Sequence, residues 1–102
     1  MEHKMKPRTF ALDFDGTFTE DPQLWAAFVT LGISRGHTFF CVTARRNTEE
    51  NTDLINEQFE EHGIQMPIIF SNLGSKLDEV ERRGIKIDIW LDDAPYAIVR
   101  GL

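Results

Sequence analysis

Four short apolar runs, each followed at once by polar residues, set the strongest limit on how this 102-residue chain can fold. Thr9-Phe10-Ala11-Leu12, His37 to Val42, Pro67 to Phe70 and Ile87 to Leu91 read as buried strands, and amphipathic segments separate them. That alternation is the pattern of a parallel sheet with helices on both faces. Crossovers of the usual right-handed sense then place every strand's C-terminal end on one edge, where open α/β sheets bind ligands. The length suits one domain over residues 1–102, and a 41% apolar content with eight Phe supplies its core.

Capping residues predict the helices. Asp21 caps the first, with Pro22 in its opening turn, Leu24, Phe28 and Leu31 on one face at i, i+4, i+7, and Gly36 as its stop. Asn47, with Glu50 three residues on, predicts the next N-terminus; Leu54, Ile55, Gln58 and Phe59 mark its mostly apolar face, and Gly63 ends it. Ser75 caps a short helix carrying Leu77 and Val80, closed by Gly84. After Asp93 there is no fifth strand and scarcely a final helix. The sheet edge beside the fourth strand is therefore expected to be bare, or covered by a partner or a second copy.

The residues just past the strands are Asp13 and Asp15, Thr43 to Arg45, Lys76 a few positions beyond the third strand, and Asp92 with Asp93. Four carboxylates, a hydroxyl and two cations thus converge on one edge. Carboxylates gathered on an apolar sheet edge repel each other unless a cation sits between them, and a site offering only oxygen donors favours Mg²⁺. Such a metal neutralises a phosphoryl group and lets an anionic carboxylate approach it. Asp13 and Asp15 alternate along an extended segment, so both carboxylates face one side while Phe14 points inward. Gly16 permits a sharp turn and close approach of the backbone to an anion, and Thr17 offers a hydroxyl to orient a neighbour. One Asp can attack phosphorus and the other can carry the leaving group's proton, splitting phosphate-ester hydrolysis at an aspartyl phosphate.

Asp13-Phe14-Asp15-Gly16-Thr17 resembles the DxDGT signature of the haloacid dehalogenase superfamily, and Thr43, Lys76 and Asp92-Asp93 match its later motifs in order and in strand context. The resemblance covers nearly the whole chain and implies a Rossmann-like phosphatase with Mg²⁺ as cofactor. It implies Asp13 as nucleophile, Asp15 as general acid and base, Thr43 and Lys76 as phosphate binders, and Asp92 with Asp93 as the remaining metal site. Asp93 is the direct ligand by this analogy, with Asp92 near or behind it and the Asp15 backbone carbonyl also coordinating. The candidate sets are then Asp13 and Asp15 for catalysis; Gly16, Thr17, Thr43, Ala44, Arg45 and Lys76 for substrate; and Asp13, Asp15, Asp92 and Asp93 for metal. Relatives that cleave carbon–halogen bonds lack the second Asp, so Asp15 points to phosphoryl transfer. Neither the interval from Asp15 to His37 nor the loop from Ser71 to Ser75 has room for a cap domain, which implies an open site.

Eleven Lys and Arg against seventeen Asp and Glu leave a net charge of −6, which disfavours long nucleic acids as partners and leaves a phosphorylated small molecule or macromolecule. The basic clusters Lys4, Lys6, Arg8 and Arg45, Arg46 are too short to reverse that. Cys41 lies in an apolar run and reads as a buried structural thiol; Trp25 and Trp90 read as core; the three His show no ligand spacing. Arg45 is open between reaching a leaving group and being solvated. Without an apolar span or signal-peptide core, no membrane association and a cytoplasmic location are expected. A catalytically idle binding module on the same fold is the alternative, which the presence of Asp15 argues against.

Overall fold

A computed structural model describes residues 5–102, so His3 and Lys4 of the sequence reading lie outside the described residues. Four strands, β1 (Thr9–Leu12), β2 (Thr38–Thr43), β3 (Ile68–Phe70) and β4 (Ile89–Leu91), form one all-parallel sheet in the order β3-β2-β1-β4. Helices α1 (Pro22–Ser34) and α2 (Glu49–Glu61) carry the chain from β1 through β2 to β3. It then turns back through α3 (Lys76–Arg82) to β4 on the far side of β1 and closes with α4 (Pro95–Arg100). A right-handed crossover requires the helices to change faces when travel along the sheet reverses. They do. Phe10, Leu12, Phe39 and Cys41 pack with Ala26 and Val29 of α1 and Ile55 and Phe59 of α2, whereas Ala11, Val42 and Ile69 pack with Val80 of α3. This Rossmann-like arrangement has its switch point between β1 and β4.

The strand ends show how local chemistry trims an apolar run. At the predicted start of the second strand, His37 turns its ring to accept the Arg8 N–H at 3.0 Å, so β2 begins one residue later and reaches Thr43. At the start of β4 the Asp88 carboxylate accepts the Thr9 N–H at 2.9 Å, so only Ile89 to Leu91 remain strand. Pro67 precedes β3 without an N–H to give, but its carbonyl accepts the Cys41 N–H at 2.9 Å.

Asp21 caps α1 as expected, its carboxylate accepting the Leu24 N–H. The apolar face of α1 is in part a correction: Leu24 and Leu31 are exposed, Phe28 packs edge-on against Phe10 and Phe39 from a partly exposed position, and Ala26, Val29 and Gly32 are the buried residues. The reason lies in the layer beneath. Phe10 and Phe39 stack with centroids 4.8 Å apart and fill the space above the sheet, and a Cβ on Gly32 would sit 2.5 Å from the Phe39 ring. Only small residues fit there. Helix α2 is capped by Thr48, not Asn47: the Asn47 N–H is drawn to the Asn72 side chain at 2.8 Å, and Thr48 accepts from Asn51. Ile55 and Phe59 are buried and Leu54 is exposed. The segment after Asp93 forms a real helix, α4, which packs on α3 through Ala97 and receives the Ser75 hydroxyl on the Ile98 carbonyl. Among the described residues, strand β4 pairs only with β1 and is an edge. No helix among the described residues is long and apolar enough to cross a membrane.

Candidate active site

The ladder between β1 and β4 runs one step past the strands, with the Asp13 N–H donating to the Leu91 carbonyl at 3.0 Å. That rung brings Asp13 beside Asp92 and Asp93. A tight turn follows, because the Phe18 N–H returns to the Asp13 carbonyl at 3.2 Å and the Thr19 N–H to the Phe14 carbonyl at 3.1 Å. Phe14 is buried against Phe18 and Phe59, which anchors the turn and leaves Asp13 and Asp15 facing the sheet edge. Gly16 has a φ of +82°, and a Cβ there would collide with the Asp93 carboxylate.

Lys76, the first residue of α3, is almost fully buried and reaches across the edge. Its ammonium donates to Asp13 Oδ1 at 2.8 Å and to Asp92 Oδ2 at 2.6 Å. A cation at a helix N-terminus opposes the helix dipole; here two carboxylates outweigh that. Burial alone would lower the Lys76 pKa, but the hydrogen bonds and charges of Asp13 and Asp92 raise it, so the side chain is held charged. The other Asp92 oxygen, Oδ1, accepts the Ala94 N–H at 2.9 Å. The Thr17 hydroxyl lies 3.3 Å from Asp13 Oδ2 and 3.2 Å from Asp93 Oδ1, and accepts the Asp93 N–H. One hydrogen therefore serves two carboxylates, and their mutual repulsion is only partly relieved. Burial pushes the Asp13 carboxyl up to about 7, against the pull of the Lys76 hydrogen bond and charge.

Oxygens of Asp13, Asp92 and Asp93 all lie within 4.8 Å of one another, the spacing of a group that can hold a metal ion. With Asp13 ionised, three carboxylates face one ammonium, a net deficit that one divalent cation would cancel. The donor set is all oxygen, which suits a hard cation, and Asp93 is the exposed member, with Oδ1 beside the Thr17 hydroxyl. The residues fit such an ion. The Asp15 carboxylate is not in this trio; it is bound to Arg45 instead.

Of the sequence-predicted residues, Asp13, Asp15, Ala44, Arg45, Lys76, Asp92 and Asp93 line one cavity of about 200 Å³. Thr43 ends β2 and is buried, its hydroxyl oxygen accepting the Arg45 N–H at 3.2 Å and its hydrogen left to donate. Gly16 and Thr17 face a neighbouring hollow of about 440 Å³. Trp25 and Trp90, expected in the core, pack only partly against it and also border that hollow. A larger hollow of about 500 Å³, between α2 and residues 64–67, lies at the opposite edge of the sheet and brings together no comparable set of charged groups. Cys41 is buried, with its thiol pushed up by burial.

Two features escaped the sequence reading. Asn51 accepts from Arg45 at 2.8 Å, a contact that no spacing rule in the sequence signals. Asn72 and Leu73 adopt φ of +52° and +66°, held there because their N–H groups bond the Arg45 and Ala44 carbonyls and carry the β2–β3 ladder onward. Asn tolerates this conformation, whereas Leu73 is strained by it, and it borders the cavity. No protein-family model, no curated protein and no solved structure matches this chain.

Proposed function

We propose that this chain is a Mg²⁺-dependent phosphomonoester hydrolase of the haloacid dehalogenase type, working through an aspartyl phosphate at Asp13. The observation that carries the reading is the buried cluster of Asp13, Lys76 and Asp92 beside the exposed Asp93, all at the switch point of a parallel sheet. A structural ion pair needs two groups; this cluster has three carboxylates for one cation.

In the first step an Asp13 carboxylate oxygen bonds to phosphorus while the bond to the leaving oxygen breaks, and Asp15 gives that oxygen its proton. In the second, Asp15 takes a proton from water, whose oxygen bonds to phosphorus as the Asp13–phosphorus bond breaks, releasing inorganic phosphate. Lys76 and the free Thr43 hydrogen are the donors for phosphoryl oxygens. Asp13 and Asp93, with the Asp15 backbone carbonyl that the resemblance adds, would hold Mg²⁺; bound there, the ion supplies the charge neutralisation that lets a carboxylate meet a phosphoryl group.

The cavity of about 200 Å³ is smaller than the ~300–1,000 Å³ of sites that enclose a whole ligand. It suits a phosphoryl group whose leaving group stays outside, and the acidic chain weighs against long nucleic acids. Purified protein should hydrolyse aryl phosphates with Mg²⁺ and not after chelation. Asp13→Asn, which keeps the shape and removes the nucleophile, should abolish turnover with an unchanged circular dichroism spectrum. Wild-type turnover in that variant would exclude the covalent route.

A further inference from the structure

Asp15 is the exposed member of its motif, with 54% of its side chain open to solvent, where a carboxylate ordinarily samples several rotamers. Here both oxygens are fixed. Arg45 Nε donates to Oδ2 at 2.8 Å and Arg45 Nη2 to Oδ1 at 2.9 Å, the two parallel bonds of a guanidinium–carboxylate fork. The fork is itself anchored. Nη1 donates to Asn51 Oδ1 at 2.8 Å, and the guanidinium carbon lies 5.4 Å from the centre of the buried Phe14 ring. Asn51 in turn sits in the first turn of α2 and donates through Nδ2 to the Arg46 carbonyl at 2.9 Å, with its N–H on Thr48. An unbroken chain of directional contacts therefore runs from α2 to the Asp15 carboxylate.

All three guanidinium nitrogens have protein partners, so the fork is engaged by the protein itself. We propose that Arg45, anchored by Asn51, is a positioning residue that holds the Asp15 carboxylate at the mouth of the cavity, an inference that rests on the phosphohydrolase reading. The cavity of about 200 Å³ suits a phosphoryl group with its leaving group outside, which leaves alignment of the proton carrier to the protein side. Misalignment should matter most for leaving oxygens that need a full proton, such as alkoxides, and least for aryl oxides.

The test compares Arg45→Ala, Arg45→Lys and Asn51→Ala with wild type on an alkyl and an aryl monophosphate, with beryllium fluoride and Mg²⁺ as a probe of the Asp13 site. Arg45→Ala should lower kcat on the alkyl ester by on the order of 10- to 100-fold, the scale of misplaced catalytic groups, with a smaller loss on the aryl ester and little change in KM. Asn51→Ala should move in the same direction by less, and Arg45→Lys should recover part of the loss. Beryllium fluoride should raise the melting temperature of Arg45→Ala as it does wild type. A raised KM with kcat intact, or equal loss on both esters, would overturn the positioning role while leaving the hydrolase reading in place. A wild-type protein that neither turns over phosphates nor responds to beryllium fluoride overturns that reading, and the role of Arg45 with it.

Discussion

Asp13 and Asp15 stand two positions apart on one turn, and each is paired with a cation, yet their surroundings differ sharply. The Asp13 side chain is 8% exposed and bonds an ammonium that is itself 3% exposed; Asp15 is 54% exposed and bonds a guanidinium at 30%. Strand β1 ends at Leu12 and the chain turns from Phe14 onward, so the first carboxylate lies against the sheet and the second projects beyond it. In the inner pair electrostatic energy dominates, since neither charge is well solvated. In the outer pair water screens the charges, and the fork contributes orientation more than stability. The same two-residue motif thus holds one group whose protonation the fold controls and one whose direction it controls.

The largest expected effect comes from breaking the inner pair. Lys76→Met fills similar volume but leaves Asp13 and Asp92 facing each other, and losing one partner of a buried pair costs about 3–5 kcal/mol. Urea unfolding should show that loss. Asp13→Asn should cost much less, because it removes the charge that burial disfavours and keeps an oxygen for Lys76. A Lys76→Met loss under about 1 kcal/mol, the range of exposed pairs, would erase the distinction between the two pairs.

Next in size is a pH effect with a definite sign. The Asp13 carboxyl, lifted from 3.8 to about 7, keeps a proton in the folded state that the unfolded chain has already lost between those values. Its contribution to stability is complete below pH 4 and is lost as the pH rises through 7. In metal-free protein, the stability of wild type relative to Asp13→Asn should therefore fall across that window. Added Mg²⁺ at pH 8 should raise the melting temperature, by an amount equivalent to about 2.7 kcal/mol at a hundredfold excess over Kd. Asp93→Asn should remove that rise. A flat difference across the window would mean that burial does not govern Asp13, and an undiminished Mg²⁺ response in Asp93→Asn would take Asp93 out of the site.

How far all this could be read from the residues depended on the range of the interaction. The four parallel strands and the edge carrying the carboxylates followed from apolar runs and short loops, and the Asp21 and Ser75 caps from contacts within three residues; the strand order, with β4 beside β1, rests on pairing between distant segments that no local pattern encodes. The choice of Thr48 over Asn47 was settled by Asn72, 25 positions away. Likewise the burial of Gly32 on α1 was decided by Phe39, whose ring takes the space a Cβ there would need, and periodicity within a helix cannot register what the opposing layer leaves room for. Arg45 is the clearest case: its neighbours in sequence left it between solvent and substrate, while its partners, Asp15 and Asn51, stand 30 positions before it and 6 after it.

The smallest expected effect is the energy of the outer pair. A double-mutant cycle between Asp15→Asn and Arg45→Ala isolates the pair from the packing of Arg45 on Phe14 and its bond to Asn51, because those losses occur in both halves of the cycle. Exposed pairs yield about 0.2–1 kcal/mol in such cycles, and the fork's bidentate geometry places this one toward the upper end. Most of that coupling should vanish at 1 M salt, where the screening length falls to about 3 Å. The anchoring of Asp15 depends also on hydrogen-bond direction, so the kinetic preference for aryl over alkyl esters in Arg45→Ala should persist at salt concentrations that cancel the coupling energy. A coupling as large as the Lys76→Met loss, or one indifferent to salt, would mean that Asp15 is held in a low-dielectric setting after all, and the contrast between the two carboxylates would collapse.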